Sequence, residues 1–354
     1  MRREDDLDVR LMKEFASPGS FQWNVSESYS SIARKLGVDD ETVRRRLKLA
    51  KENGILQGFH LIPNPHLLNM ESAALELEVG AGRKKSLVIS QIELIEGVTL
   101  IVDFHGERLR TVIYYENDRS LSRKIQLIYS ICGGSSERHW TERFPPCDLR
   151  TSLTDWSILK VMRKDARQNL SKVAKQIGVS TRTVKRRLTV MTQNNAFYLM
   201  PISAYQKSAV LACSFTVRCQ DRSRKRFVDG KIKSSLVRMV FSNTSADEYS
   251  VFTVLCNNMS EAETTRETIS GINGVESVVF GVVRKVIFVP EWLDEQVERR
   301  IRYPHGILDM KEREKTVSPK WMSSDYARKK LGTQIRFNAT TITEGKRQCN
   351  KRRI

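Results

Sequence analysis

No apolar run in the 354-residue chain approaches the ~18 residues a membrane span requires, so neither a membrane segment nor a membrane partner is expected. The opening MRREDDLDVR contains no apolar stretch of the secretory type, which leads to the expectation of a cytoplasmic, nucleoid-associated protein. Six cysteines (Cys132, Cys147, Cys213, Cys219, Cys256 and Cys349) include no CxxC pair. They therefore read as isolated thiols in a reducing compartment, forming neither a disulfide framework nor a zinc site. The five histidines (His60, His66, His105, His139 and His305) have no metal-ligand spacing and no adjacent nucleophile arrangement, so no catalytic role, metal or cofactor is expected. GAGRKK (80–85) lacks the third glycine and the Lys-Ser/Thr pairing of a phosphate loop and reads as a strand-to-helix turn. The sequons at Asn24 and Asn338 are matters of spelling in a cytosolic chain.

Acid is also scarce: 41 Asp and Glu face 60 Lys and Arg, a formal net charge of +19. Such an excess attracts polyanions, with nucleic acid ahead of anionic membrane. With 40% hydrophobic and 29% charged residues, the chain can bury a core. Its length predicts two to four compact units at roughly 100–200 residues each.

What organises the chain is an internal repeat. IARKLGVDDETVRRRL (32–47) lies over VAKQIGVSTRTVKRRL (173–188) at a constant offset of 141, without gaps and with eight of sixteen positions identical. After each copy, strand-length runs alternate with stretches of helical period. The first series is 71–79, 86–97, 98–106, 108–117, 120–134 and 137–144; the second is 208–217, 224–236, 237–245, 249–258, 260–274 and 275–289. Each reads β-α-β-β-α-β, the ferredoxin-like order, with one sheet face left bare by the helices. The bare faces are expected to pack on one another within the chain. The fold class is thus α+β, a tandem repeat of winged helix-turn-helix and ferredoxin-like units forming an intrachain pseudo-dimer. Expected units are 1–65 and 149–203 (winged helix-turn-helix), 66–148 and 204–296 (ferredoxin-like), and 297–354, a basic tail. Residues 311–354 carry 13 Lys and Arg against 4 Asp and Glu, adding electrostatic reach or forming an inert solvated tail.

In the second copy, LTDWSILKVMRKDARQN supplies a helix with Trp156, Leu159, Val161 and Met162 on its buried face, and 170–179 supplies a second, ending at Gly178. Ser180 is placed to cap a third helix whose buried stripe is Val184, Leu188 and Met191. A helix-turn-helix sets such a third helix in the major groove of DNA. Its outward residues Thr181, Arg182, Thr183, Lys185 and Arg186, with Ser180, are the candidates for base or phosphate contact. Arg187 is assigned to backbone phosphate or to structural packing of its stem. The first copy offers Thr42, Arg44, Arg45, Arg46 and Lys48, behind a stripe of Val43, Leu47 and Ala50, but its helix opens Asp39, Asp40, Glu41. Those acids suit the helix dipole and repel phosphate, which makes base reading less secure there. Phe21 and Trp23, in an insertion between the helices, read as a latch onto the domain or as a DNA contact. GILQGFHLIPNP (54–65) reads as a two-stranded wing, and 194–203 as its counterpart with a longer turn.

LTDWSILKVMRKDAR (153–167), VAKQIGVS (173–180) and TVKRRL (183–188), with weaker equivalents in the first copy and NGILQGFHLIPNPHLL (53–68) at the exit, resemble the Lrp/AsnC (feast/famine) regulators. The resemblance spans residues 7 to about 290 as two fused units. It implies a sequence-specific regulator of transcription, not an enzyme, with double-stranded DNA as partner, sheet domains that dimerise, and an amino acid or similar small molecule as effector in many members. A homodimer or higher oligomer follows the same pattern. The family's turn between the second and third strands carries Gly followed closely by Asp. Here the turns read HGERLR (105–110) and TSADEY (244–249), leaving Asp247 as a polar contact. Two rivals are kept in view. Sirohaem decarboxylases resemble this architecture but use a His-Asn-Tyr type motif absent here, and an amino-acid-sensing module would bind ligand without DNA. Because the two third helices differ, an asymmetric operator is expected, with half-sites roughly 34 Å apart.

Overall fold

Residues 7, 8, 10, 11, 14, 28–53, 56–133, 136–203, 210–245 and 247–303 are described by a computed structural model of the chain. The chain divides into two compact units, Met1–Pro304 and His305–Ile354, and the described residues belong to the first. Phe21, Trp23, Gly54, Cys349 and the basic tail beyond 303 lie outside the described residues.

In chain order the first half comprises α1 (Tyr29–Leu36), α2 (Asp40–Glu52), β1 (Leu56–Pro63), β2 (Glu71–Glu78), α3 (Lys85–Ile92), β3 (Val98–Phe104), β4 (Arg108–Tyr115), α4 (Asp118–Cys132) and β5 (Ser136–Thr141). The second comprises α5 (Leu153–Met162), α6 (Leu170–Ile177), α7 (Thr181–Gln193), β6 (Phe197–Ser203), β7 (Leu211–Cys219), α8 (Lys225–Ser235), β8 (Met239–Thr244), β9 (Tyr249–Cys256), α9 (Met259–Ser270), β10 (Val275–Phe288) and α10 (Pro290–Arg302). GAGRKK forms the turn between β2 and α3.

Short polar side chains start the helices of the turn motifs. The Ser28 and Ser180 hydroxyls accept from the amides of Ser31 and Thr183, each at 3.1 Å. Gly37 and Gly178 end α1 and α6 at φ 69° and 72°, the left-handed conformation that the sharp exit into the next helix requires.

Strands β2–β5 and β7–β10 join in one eight-stranded antiparallel sheet ordered β5-β2-β4-β3-β10-β7-β9-β8. Each half alone has its fourth strand beside its first, followed by the third and second. The 14-residue β10 makes the junction: Val275–Val282 pair with β7, and Val283–Phe288 pair with β3. The two far edges also meet, through an isolated antiparallel bridge between Glu142 and Ser245, so the sheet curls back on itself. Helices α3 and α4 cover one outer face over Ala73, Leu75, Ile101 and Ile113, and α8 and α9 cover the other over Phe215, Val217 and Phe252.

The expected wings take a different form. No hairpin follows α2 or α7 among the described residues; β1 and β6 instead pair with each other, antiparallel, from Leu56 opposite Ser203 to Pro63 opposite Phe197. The other edge of β1 bonds to the loop after α5: Leu61 N–H donates to the Arg163 carbonyl at 2.9 Å and Ala166 N–H to Phe59 at 2.8 Å. One run of strand residues per copy satisfies its backbone groups only by pairing across copies. The expected boundary at 296/297 is also crossed, because α10 runs through it with Trp292, Leu293 and Val297 buried. These residues complete a single core that contains Ile32, Val43 and Leu47 of the first copy and Val184, Leu188 and Met191 of the second. Helices α1 and α2 therefore share one interior with α5, α6 and α7 rather than each set owning its own.

Candidate nucleic-acid interface

Helix α7 buries the stripe Val184, Leu188 and Met191 at 0% exposure each, which turns the opposite face outward. Thr181, Arg182, Lys185 and Arg186 are exposed on that face, and the three cations have no ion pair or hydrogen-bonding side-chain partner among the described residues. No acid stands in the first turn. The helix thus presents its positive N-terminal end together with three uncommitted cations, an arrangement suited to an anion.

Three further candidates in this copy have local duties. Ser180 caps the helix, its Oγ lies 2.9 Å from the Thr183 Oγ1, and both hydroxyls are spent on the cap. Arg187 turns inward: its Nε donates to Asp155 Oδ1 at 2.7 Å and its Nη2 to Asp155 Oδ2. Of the two roles expected for Arg187, phosphate contact gives way to packing, because a fully buried carboxylate on α5 holds the guanidinium. Burial raises the Asp155 pKa, but the Arg187 hydrogen bond and the Ser152 amide and hydroxyl outweigh it and hold the carboxyl below its ordinary 3.8. The Ser152-x-x-Asp155 spacing is that of a capping box, a sequence signal for this end of α5.

Helix α2 has the same framework and a different surface. Asp39 accepts from both the Thr42 amide (2.6 Å) and the Thr42 hydroxyl (3.0 Å), so Thr42 serves the cap, and these bonds hold Asp39 below its ordinary range. Arg44 lies 3.5 Å from Asp40 and over the Tyr29 ring at 4.9 Å, and Lys48 lies 3.7 Å from Glu52. Arg46 reaches Asp8 at 3.3 Å, the same inward turn that Arg187 makes 141 residues later, and it too leaves the set of groups open to phosphate. Arg45 alone of the five candidates is exposed without a pair among the described residues. Val43 and Leu47 are buried as expected, whereas Ala50 is half-buried.

Asp247, expected as a polar contact for an effector, accepts from the Thr141 amide at 2.9 Å and faces Arg222 at 3.9 Å, which ties it to the β5 edge. Five of the six cysteines are described, all buried and unpaired. No helix among the described residues is long and apolar enough to cross a membrane.

Residues 153–191 match the AsnC-type helix-turn-helix domain. The chain is 34% identical over 101 residues to the HTH-type transcriptional regulator Ptr1 of Methanocaldococcus jannaschii, a match covering 28% of this chain and 62% of Ptr1. It is 31% identical over 106 residues to an uncharacterized HTH-type transcriptional regulator of Pyrococcus abyssi, covering 29% of this chain and 67% of that one. Among solved structures, that of the siroheme decarboxylase NirDL superposes with a TM-score of 0.51 at 13% identity, over 85% of this chain and all of that one. At that identity the likeness is one of fold.

Proposed function

The chain belongs to the HTH-type transcriptional regulators with an AsnC-type helix-turn-helix domain, and from that premise we propose that it is a sequence-specific regulator that binds double-stranded DNA. Helix α7 enters the major groove, with Thr181, Arg182, Lys185 and Arg186 touching base edges or nearby phosphates. The observation that carries this is the difference between two matching helices: Arg182, Lys185 and Arg186 of α7 are unpaired among the described residues, while Arg44, Arg46 and Lys48 of α2 are neutralised by acids of their own unit. The second copy supplies specificity, and the first adds weaker contact through Arg45. An operator read this way is asymmetric.

We also propose that the chain arose by duplication and works as an intrachain pseudo-dimer. In support, the strand order and the helix-turn-helix each occur twice, and each half lends one strand to the β1–β6 ribbon and four to the continuous sheet. A small-molecule effector acting at the αβ halves completes the proposal. Fold likeness to a siroheme decarboxylase favours one rival, a tetrapyrrole enzyme, for which the chain lacks the His-Asn-Tyr type motif.

A gel-shift titration across salt concentrations tests the assignment. Combined Arg182→Ala, Lys185→Ala and Arg186→Ala substitutions are expected to weaken operator binding at least ~100-fold and to flatten the salt slope by up to about three units. Arg44→Ala with Lys48→Ala is expected to change affinity only a few-fold, since exposed paired charges contribute little. Equal losses from both sets would contradict the division of labour.

A further inference from the structure

Where the sheet curls, a partly open cavity of about 150 Å³ lies between its two halves. Val112, Trp140, Val240, Val251, Leu255 and Val286 are among the apolar side chains of its wall. An apolar space of this size accepts a molecule of about one aromatic ring. The polar side chains on the lining include Arg110, Glu142, Ser214, Asn243 and Thr253. Their commitments decide what chemistry the space would accept.

Arg110 is already satisfied. Its Nε donates to Glu76 at 3.0 Å, its Nη1 to the Ser214 hydroxyl at 3.0 Å and its Nη2 to the Thr216 hydroxyl at 2.7 Å. Glu142 accepts from the Ser72 hydroxyl at 2.7 Å and from the Asn243 side-chain amide, and burial pushes its carboxyl above the ordinary range despite those bonds and nearby Arg110. By contrast, the Thr253 hydroxyl and the Asn243 carbonyl oxygen have no hydrogen-bond partner among the described residues, although both side chains are buried. The space therefore offers apolar walls, an unpaired hydroxyl and an unpaired acceptor, and no uncommitted cation to receive an anion. Burying a carboxylate there would leave it unpaired beside Glu142.

We propose that this cavity is a binding site for a small uncharged aromatic molecule carrying one hydrogen-bond donor, a phenol in size and chemistry, held between Thr253 and Asn243. The walls take the ring, and the ligand hydroxyl donates to the Asn243 oxygen while accepting from Thr253. A free amino acid, zwitterionic at neutral pH, is excluded by the same inventory. The site also touches the DNA-binding core: Tyr198 and Leu199 of β6 line it and belong to the interior shared by both helix-turn-helix units. Any regulatory consequence of occupancy rests on the function proposed above, whereas occupancy itself does not.

Isothermal titration calorimetry of the full chain without DNA tests the proposal, with phenol, benzoate and phenylalanine as titrants. Phenol is expected to bind at one site per chain, and benzoate and phenylalanine at least ~10-fold more weakly. Thr253→Val, which keeps the shape and removes the hydroxyl, is expected to weaken phenol about 5-fold. Val251→Trp fills the space and is expected to abolish binding, with circular dichroism confirming the fold; Val240→Phe replaces it if that variant does not fold. Absence of phenol binding to the wild type, undiminished binding to the filled variant, or benzoate binding as tightly as phenol would each overturn the proposal. Because no DNA enters the measurement, its failure is distinct from failure of the regulatory assignment.

Discussion

Arg187 and its counterpart Arg46 occupy matching positions and perform the same task, pinning the third helix of each unit to an acid upstream. The pair in the second unit is the tighter of the two, with Asp155 fully buried. Arg187→Met would leave that carboxylate without its cation, at a cost of about 3 kcal/mol in chemical denaturation near pH 7. Because folding lowers the Asp155 pKa, its contribution is complete above the unfolded value and is lost as pH falls through the folded one. The stability gap between wild type and Asp155→Asn is therefore expected to narrow below about pH 4. A gap that is constant with pH would contradict the pairing. Sequence pattern was sufficient to mark Arg187 as distinct from Arg186, since it borders the buried stripe. Arg46 holds the matching place beside Leu47, and no local pattern names its acid, 38 residues away.

Two element ends were legible from their caps: Ser180 and Gly178 mark helix boundaries by local chemistry alone. The strand and helix runs of both αβ halves likewise follow from alternation and helical period. Partner choice was not legible. Residues 56–63 have the composition of a hairpin arm, and nothing local states that the other arm lies across the repeat at 197–203. Likewise, the amphipathic α10 carries no sign that its apolar side completes a distant core. The ribbon has a measurable consequence. Phe197, fully buried in the shared core, is expected on replacement by Ala to cost about 3–5 kcal/mol. Because the core is common, hydrogen exchange should then accelerate in α2 as well as in α7. Acceleration confined to α7 would show that the two units hold separate interiors.

On the scale of the whole molecule, two similar halves are closed into one sheet yet carry unequal surfaces. The β3–β10 junction is a run of paired residues, whereas the opposite edges meet at one bridge, supported by Trp140 stacked on Tyr249 and by the Glu142–Asn243 bond. Neither that asymmetry nor the cavity inside it could be read from strand patterns, which specify faces but not how far a sheet curls. The charge of +19 pointed to nucleic acid without saying which groups remain available for it. Ion pairing decides that question, leaving Arg182, Lys185 and Arg186 free on α7, and Arg45 on α2, among the described residues. Selection of bound duplexes from a random pool at ~150 mM salt, followed by sequencing, tests the central claim most directly. An enriched asymmetric motif, lost when Arg182 and Arg186 are replaced by Ala, is the predicted result; a pool that stays unenriched while random and genomic duplexes bind alike would contradict it.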